Sequence, residues 1–220
     1  AFAASAVSFL LENLGKPVVF TGSMIPFREA RTDGRRNLIM SVILAGLSEI
    51  PEVCVFFGSK LMRGNRTKKM DSFGLDAFDS PNCAALATVG VNIEANEALV
   101  RAPPLLRLRV HALVDFRILC IRFIPGFDDA VLRRLVTSTG GGGGADLQAI
   151  VIELYGTGNA SQRKSGLLET IRRAVKSGIL VAVASQCPRG RVELPLYEVG
   201  RKIAEAGAVS VGDSQCSHSS

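Results

Sequence analysis

Hydrophobic positions in this chain fall into short continuous runs separated by amphipathic stretches. Residues 17–22 (PVVFTG) form an unbroken apolar run ending in glycine, the pattern of a strand buried on both faces. Residues 34–50 (GRRNLIMSVILAGLSEI) place Leu38, Val42, Ala45 and Leu47 at helical spacing, and 52–57 (EVCVFF) is the next buried strand. Residues 83–90 (CAALATVG) carry a weaker strand signal. The alternation resumes with strands at 116–123, 147–156 and 179–185 and helices at 127–138, 165–178 and 196–207. Asp128 and Asp129 favour the positive end of the first of these helices, and glycine stops the other two. Strand–helix alternation in both halves predicts an α/β fold of two parallel-sheet α/β/α domains, flavodoxin- or Rossmann-like. The prolines and scattered arginines of 100–112 are linker chemistry. The predicted organisation is therefore one domain at 1–99, a linker at 100–115 and a smaller domain at 116–220.

The first apolar stretch (AFAASAVSFLLENLGK) predicts a helix at 1–14, stopped by Gly15. It has a stop signal and no start signal, so further residues are expected ahead of Ala1. It lacks the basic leader of a signal peptide. No apolar run reaches 18 residues, so no membrane span is expected. Five glycines in a row within 139–146 follow no strand and precede no Lys-Ser/Thr, which reads as an insertion and not a phosphate loop.

Composition narrows the function classes. The 220 residues are 47% hydrophobic and 21% charged, a globular balance. The net charge is +6, but Trp is absent and Tyr occurs twice. The basic clusters therefore lack the interleaved aromatics of a nucleic-acid surface, and no nucleic-acid partner is expected. Five cysteines stand far apart without CxxC spacing, and there are only two histidines, His111 and His218. No metal site is expected. Cys54 and Cys120 read as core residues, and a reducing, cytoplasmic compartment is expected.

Ligands of open parallel sheets bind beyond the carboxyl ends of the strands. Those positions hold Thr21, Gly22 and Ser23, then the stretch from Gly58 to Lys69, then Tyr155 to Asn159, then Ser185 to Cys187 with Tyr197 further on. No histidine is among them, which argues against a serine–histidine triad. Threonine or serine activated by a lysine remains compatible. The densest feature is RGNRTKKMDSF at 63–73, where Arg63, Arg66, Lys68 and Lys69 crowd together. Mutual repulsion favours loss of a proton from one of the adjacent lysines; a pair of solvated loop lysines is the alternative. YGTGNAS at 155–161 lacks the third glycine of a dinucleotide fingerprint, and the following strand ends without the acidic residue that would hold a ribose.

GKPVVFTGSMIP (15–26), DGRRNL (33–38), PEVCVFFGSKLMRGNRTKKMDSF (51–73), FDSPN (78–82), PGF (125–127), YGTGNA (155–160) and SQCPRGRVELPLYEVG (185–200) stand in an order that resembles the L-asparaginase family. The bacterial type I form and its animal lysophospholipase relatives are the most similar. The resemblance extends to about Gly212, and the tail DSQCSHSS departs from it.

The resemblance implies hydrolysis of L-asparagine to aspartate and ammonia without metal or cofactor. It implies two catalytic threonines, one in a Gly-rich loop and one in a Thr-Asp-Thr directly ahead of the opening helix, with a lysine relaying protons. It assigns the relay to Lys69, with Lys68 where a threonine is usual. It assigns Ser23 to a backbone-carbonyl contact with substrate and Tyr197 to the vicinity of the site; a helix-start core tyrosine is the alternative for Tyr197. Cys187 matches an effector-site cysteine, but Glu153 stands where an arginine is expected, so a weakened allosteric response follows. Both threonines would precede Ala1. The first domain would then be the second half of a catalytic domain, and the isolated chain is expected to be inactive. A homodimer or homotetramer and a cytoplasmic location are also implied. A non-catalytic α/β scaffold and the glutamine amidase subunit of a tRNA-dependent amidotransferase are the competing readings.

Overall fold

The computed structural model describes residues 1–112, 116–138, 147–160 and 165–214. The glycine run at 139–146, residues 113–115 of the expected linker, 161–164, and residues 215–220 with Cys216 and His218 lie outside the described residues. The described residues fall into two compact units, one up to residue 112 and one from residue 116.

In chain order the first unit comprises α1 (Phe2–Leu10), β1 (Leu11–Glu12), β2 (Val18–Phe20), α2 (Gly34–Leu47), β3 (Val53–Phe57) and β4 (Lys60–Arg63). A 3-10 turn (Gly64–Arg66), β5 (Lys68–Lys69), β6 (Phe78–Asp79), β7 (Ala87–Val89), β8 (Ile93–Ala95) and β9 (Arg109–Val110) follow. The main sheet has the order β2-β3-β4-β7-β8. Only β2 and β3 run parallel; every later neighbour is antiparallel. The sheet is therefore mixed where the hydrophobic pattern alone predicts a parallel one. The departure begins at Gly58, whose φ of +63° suits a tight reversal, and β3 returns at once as β4. The opening helix also ends earlier than expected, at Leu10. Leu11 and Glu12 pair with Val110 and Arg109 of β9 instead, and Asn13 takes a left-handed φ of +57°.

β3 is buried along its whole length, and its alternating side chains serve two cores. Val53, Val55 and Phe57 join Ala4 of α1, Met62 and Ala77 in one cluster. Cys54 and Phe56 join Leu44 of α2, Leu61 and Leu86 in the other. Burial, and then the charge of Glu52, push the Cys54 thiol up to about 12, so this cysteine is an inert core residue.

α2 inverts the face read from its sequence. Its buried positions are Gly34, Asn37, Ser41 and Leu44. Leu38, Val42 and Leu47 are 47%, 64% and 81% exposed. The polar residues are tolerated inside because they are bonded: Ser41 Oγ donates to the Asn37 carbonyl at 2.7 Å, and the Asn37 carboxamide bridges two loops.

The second unit comprises β10 (Ile118–Arg122), α3 (Asp129–Ser138), β11 (Ala149–Leu154), α4 (Ser165–Lys176), β12 (Leu180–Ser185), α5 (Glu198–Glu205) and β13 (Val209–Ser210). Its four strands are parallel and lie in sequence order. Ile150, Ile152, Val181 and Val183 meet Leu132 of α3, Ile171 of α4 and Ile203 of α5 in one core. Cys120, expected in the core, is exposed. It lies on β10, which occupies the edge of the sheet and is nowhere fully buried. Among the described residues no helix is long and apolar enough to cross a membrane.

Candidate active site

The basic stretch after β3 is a strand, a turn and a second strand, and each of its cations has a different setting. Arg63 closes β4 and faces the buried Glu52, which precedes β3. Arg63 Nη2 donates to Glu52 Oε1 at 2.9 Å and to the Leu99 carbonyl at 2.7 Å, while Nε donates to Glu52 Oε2. This two-pronged pair anchors the stretch from inside. Gly64 then passes between β3 and α1. A Cβ at that position would stand 2.8 Å from the Val53 carbonyl and 3.2 Å from that of Ala4. Only glycine allows the turn to approach both elements so closely. Thr67, also buried, returns its hydroxyl to the Arg63 carbonyl at 2.7 Å.

The two lysines form β5, which pairs antiparallel with β6: Lys68 opposite Asp79 and Lys69 opposite Phe78. Successive strand residues point to opposite faces, which separates the two ammonium groups. Lys69 Nζ lies 5.7 Å from the centre of the Phe78 ring, a cation–π distance. Among the described residues it makes no hydrogen bond or ion pair. The fully exposed Asp71 carboxyl is held below the usual range by the Phe73 and then the Gly74 amide, with Lys69 assisting. The Gly64–Arg66 turn that leads into β5 packs against α1 near Ala4.

Ser23 lies in the loop after β2, and α2 holds that loop. The Asp33 carboxylate accepts from the Met24 amide at 3.0 Å and the Ile25 amide at 3.0 Å. Asn37 Nδ2 donates to the Gly22 carbonyl at 2.9 Å, and Asn37 Oδ1 accepts from the Gly58 amide at 3.2 Å. One buried carboxamide thereby ties the loop after β2 to the reversal after β3. Burial raises the Asp33 pKa, but the Ile25 and Met24 amides outweigh it and hold the carboxyl below its usual value.

Lys69 covers Phe78, whose ring lies tilted against that of Phe57 at 4.8 Å between centres, and a Cβ at Gly22, the residue before Ser23, would stand 3.9 Å from Phe57. The loop hydroxyl of Thr21 is already committed to the Phe56 carbonyl at 2.9 Å. Tyr197 belongs to the second unit, where it caps the start of α5 and is 51% exposed, unlike a core tyrosine. Cys187 is exposed and Glu153 buried in that same unit.

Reading for chemistry at strand ends points to the stretches that contain Ser23 and Lys69, the family resemblance singles out those two residues, and both pass over the groups that hold them. Asp33 and Asn37 stand four apart at a helix start, and Glu52 is an acidic residue directly ahead of an apolar strand. Those two features were the available signals. Chemically, an ammonium above an aromatic ring and, among the described residues, without a hydrogen-bond partner can exchange protons with a group brought against it.

Two family models match the chain: "Asparaginase, N-terminal" over residues 1–101 and "Glutaminase/Asparaginase C-terminal domain" over residues 117–219. L-asparaginase 1 of Escherichia coli is 37% identical over 217 residues, covering 97% of this chain and 61% of that protein. The 60 kDa lysophospholipase of Mus musculus is 40% identical over 211 residues, covering 96% of this chain and 36% of that protein. The crystal structure of L-asparaginase I from Vibrio cholerae superposes with a TM-score of 0.86 at 35% identity, covering 97% of this chain and 62% of that one. The chain thus spans between about a third and three fifths of the length of these relatives. With both of its units matched, in order, by the two halves of one enzyme family, this chain belongs to the asparaginase family.

Proposed function

We propose that the chain forms part of an asparaginase-type amidohydrolase that converts L-asparagine to L-aspartate and ammonia without a metal or cofactor. The observation that carries this reading is the setting of Lys69, above the Phe78 ring and just beyond the Gly64 turn that packs against α1. In the family a Thr-Asp-Thr stands directly ahead of this helix. A threonine joined there would meet Lys69, which takes the hydroxyl proton as the oxygen attacks the amide carbon. Ammonia leaves, and water then cleaves the resulting ester. Ser23 supplies a backbone carbonyl to the substrate, in the loop that Asp33 and Asn37 hold in place. Tyr197 contributes from the second unit.

No Thr-Asp-Thr occurs in the 220 residues. The isolated chain is therefore expected to release no ammonia from asparagine. A chain extended with that segment and with the family's Gly-rich threonine loop is expected to be active. Lys69→Ala in the extended chain should lower kcat roughly 10²–10⁴-fold with an unchanged circular dichroism spectrum. Full activity in Lys69→Ala would remove the lysine from the mechanism. Ammonia release by the 220-residue chain itself, lost in Lys69→Ala, would overturn the inactivity. An inert extended chain would favour the non-catalytic scaffold. We further propose a homodimer or homotetramer, supported by the exposed apolar face of α2, and a cytoplasmic location, supported by the widely spaced cysteines.

A further inference from the structure

The two lysines of β5 have neighbours of different kinds. Lys68 stands opposite Asp79, and Lys60 already holds that carboxylate, with Nζ 3.1 Å from Oδ1. Lys69 stands opposite Phe78, with Nζ 5.7 Å from the ring centre. Among the described residues its ammonium makes no hydrogen bond or ion pair. The carboxylate that feels its charge, Asp71, instead accepts from the Phe73 amide at 2.8 Å.

The ring beneath Lys69 is itself held. Phe78 is half-buried against the core that β3 shares with α1, and it tilts by 48° against Phe57 of that strand. Phe57 is 5% exposed, so the pair is backed by packed interior. The pairing of the two chain segments continues past Lys69, because the Met70 amide donates to the Ala77 carbonyl at 2.8 Å. The ladder therefore sets the backbones of Lys69 and Phe78 against each other.

We propose that Phe78, backed by Phe57, is the positioning residue of Lys69. A carboxylate at this place would engage an N–H bond of the lysine, and a proton transfer would first have to break that ion pair. A ring face attracts the cation through its quadrupole and takes up no N–H bond. The ring thus orients Lys69 and favours the charge that appears on Nζ when it accepts the hydroxyl proton. The same ladder distinguishes two adjacent lysines, giving the ring to Lys69 and a carboxylate already engaged by Lys60 to Lys68. The kinetic part of this proposal rests on the amidohydrolase reading; the contact between ring and ammonium does not.

Two measurements test it. In NMR spectra of the 220-residue chain, the ε-methylene protons of Lys69, assigned with Lys69→Arg, should lie upfield of those of the other lysines because of the ring current. Phe78→Leu should abolish the offset, while Phe78→Tyr and Asp71→Asn should keep it. In the chain extended with the two threonine segments, Phe78→Leu should lower kcat roughly tenfold with little change in KM, and Phe78→Tyr should retain most of the parent rate. Phe78→Met takes the place of Phe78→Leu if the latter fails to fold. An offset that survives Phe78→Leu, or that disappears in Asp71→Asn, would overturn the contact. A kcat as high in Phe78→Leu as in the parent, or as low in Phe78→Tyr as in Phe78→Leu, would overturn the positioning role. An extended chain that is inert with Phe78 present and the offset intact would bring down the amidohydrolase reading, and the kinetic role with it, while the contact stands.

Discussion

Glu52 is the residue on which the basic stretch hangs. It is 5% exposed, and its two oxygens are shared between Arg63 and the Arg101 amide. Removing one member of such a pair strands the other charge in a poorly solvated place. Glu52→Ala is therefore expected to destabilise the chain by roughly 3 kcal/mol in urea unfolding, far more than loss of an exposed pair such as Arg173 with Glu169. Asp33 makes a different prediction, one that depends on pH. Its folded pKa lies below the ordinary value, so its contribution is present above the unfolded pKa, near 4, and is lost as pH falls through the folded pKa. Asp33→Asn should cost on the order of 1 kcal/mol at pH 7. The gap between parent and variant should close as the pH is lowered from about 5 towards 2. A gap of constant size across that range would show that the carboxylate charge is not what binds the loop.

Among the elements, the strands were the most legible. Continuous apolar runs announced β3, β11 and β12, because largely buried strands need apolar side chains at nearly every position, and they announced β2 as well, although it is a partly buried edge strand. The hairpin from β3 into β4 was not legible, since KLMR at 60–63 is too short to read as a strand ahead of the basic stretch and Gly58 alone marks the reversal. The inward face of α2 was misread for a related reason. Periodicity counts apolar residues, whereas the buried face of this helix is chosen by the hydrogen bonds of Asn37 and Ser41. At the site, chemistry-bearing positions could be read from sequence, but the contact of the Gly64 turn with α1 depends on tertiary approach that no local pattern encodes. Gly64→Ala tests that contact. With two backbone carbonyls within 3.2 Å of the new Cβ, the turn must move, and a loss of about 2 kcal/mol is expected in thermal unfolding. Lys69 should shift with it, so the same substitution in an active extended chain should lower kcat without removing any side chain that touches substrate. Unchanged stability would mean that the approach is looser than the geometry implies.

At the scale of the molecule, the most conspicuous surface is the outer face of α2, where Leu38, Ile39, Val42 and Leu47 are all exposed. Apolar area of this kind on one helix face is the usual mark of an interface. A second copy of the chain is the proposed occupant, in line with the homo-oligomer inferred for the enzyme. Val42→Lys combined with Leu47→Glu should shift the mass measured by sedimentation equilibrium to that of a monomer. An unchanged mass would place the self-association elsewhere or exclude it.

The double duty of β3 also constrains how the sequence can change over evolutionary time. Val53, Val55 and Phe57 belong to the core with α1, and Cys54 and Phe56 to the core with α2. Inserting or deleting one residue within the strand would exchange the two sets and turn every side chain beyond that point towards the wrong helix. Length variation in this family should therefore be admitted in the connections on either side of β3, and within the strand only in steps of two.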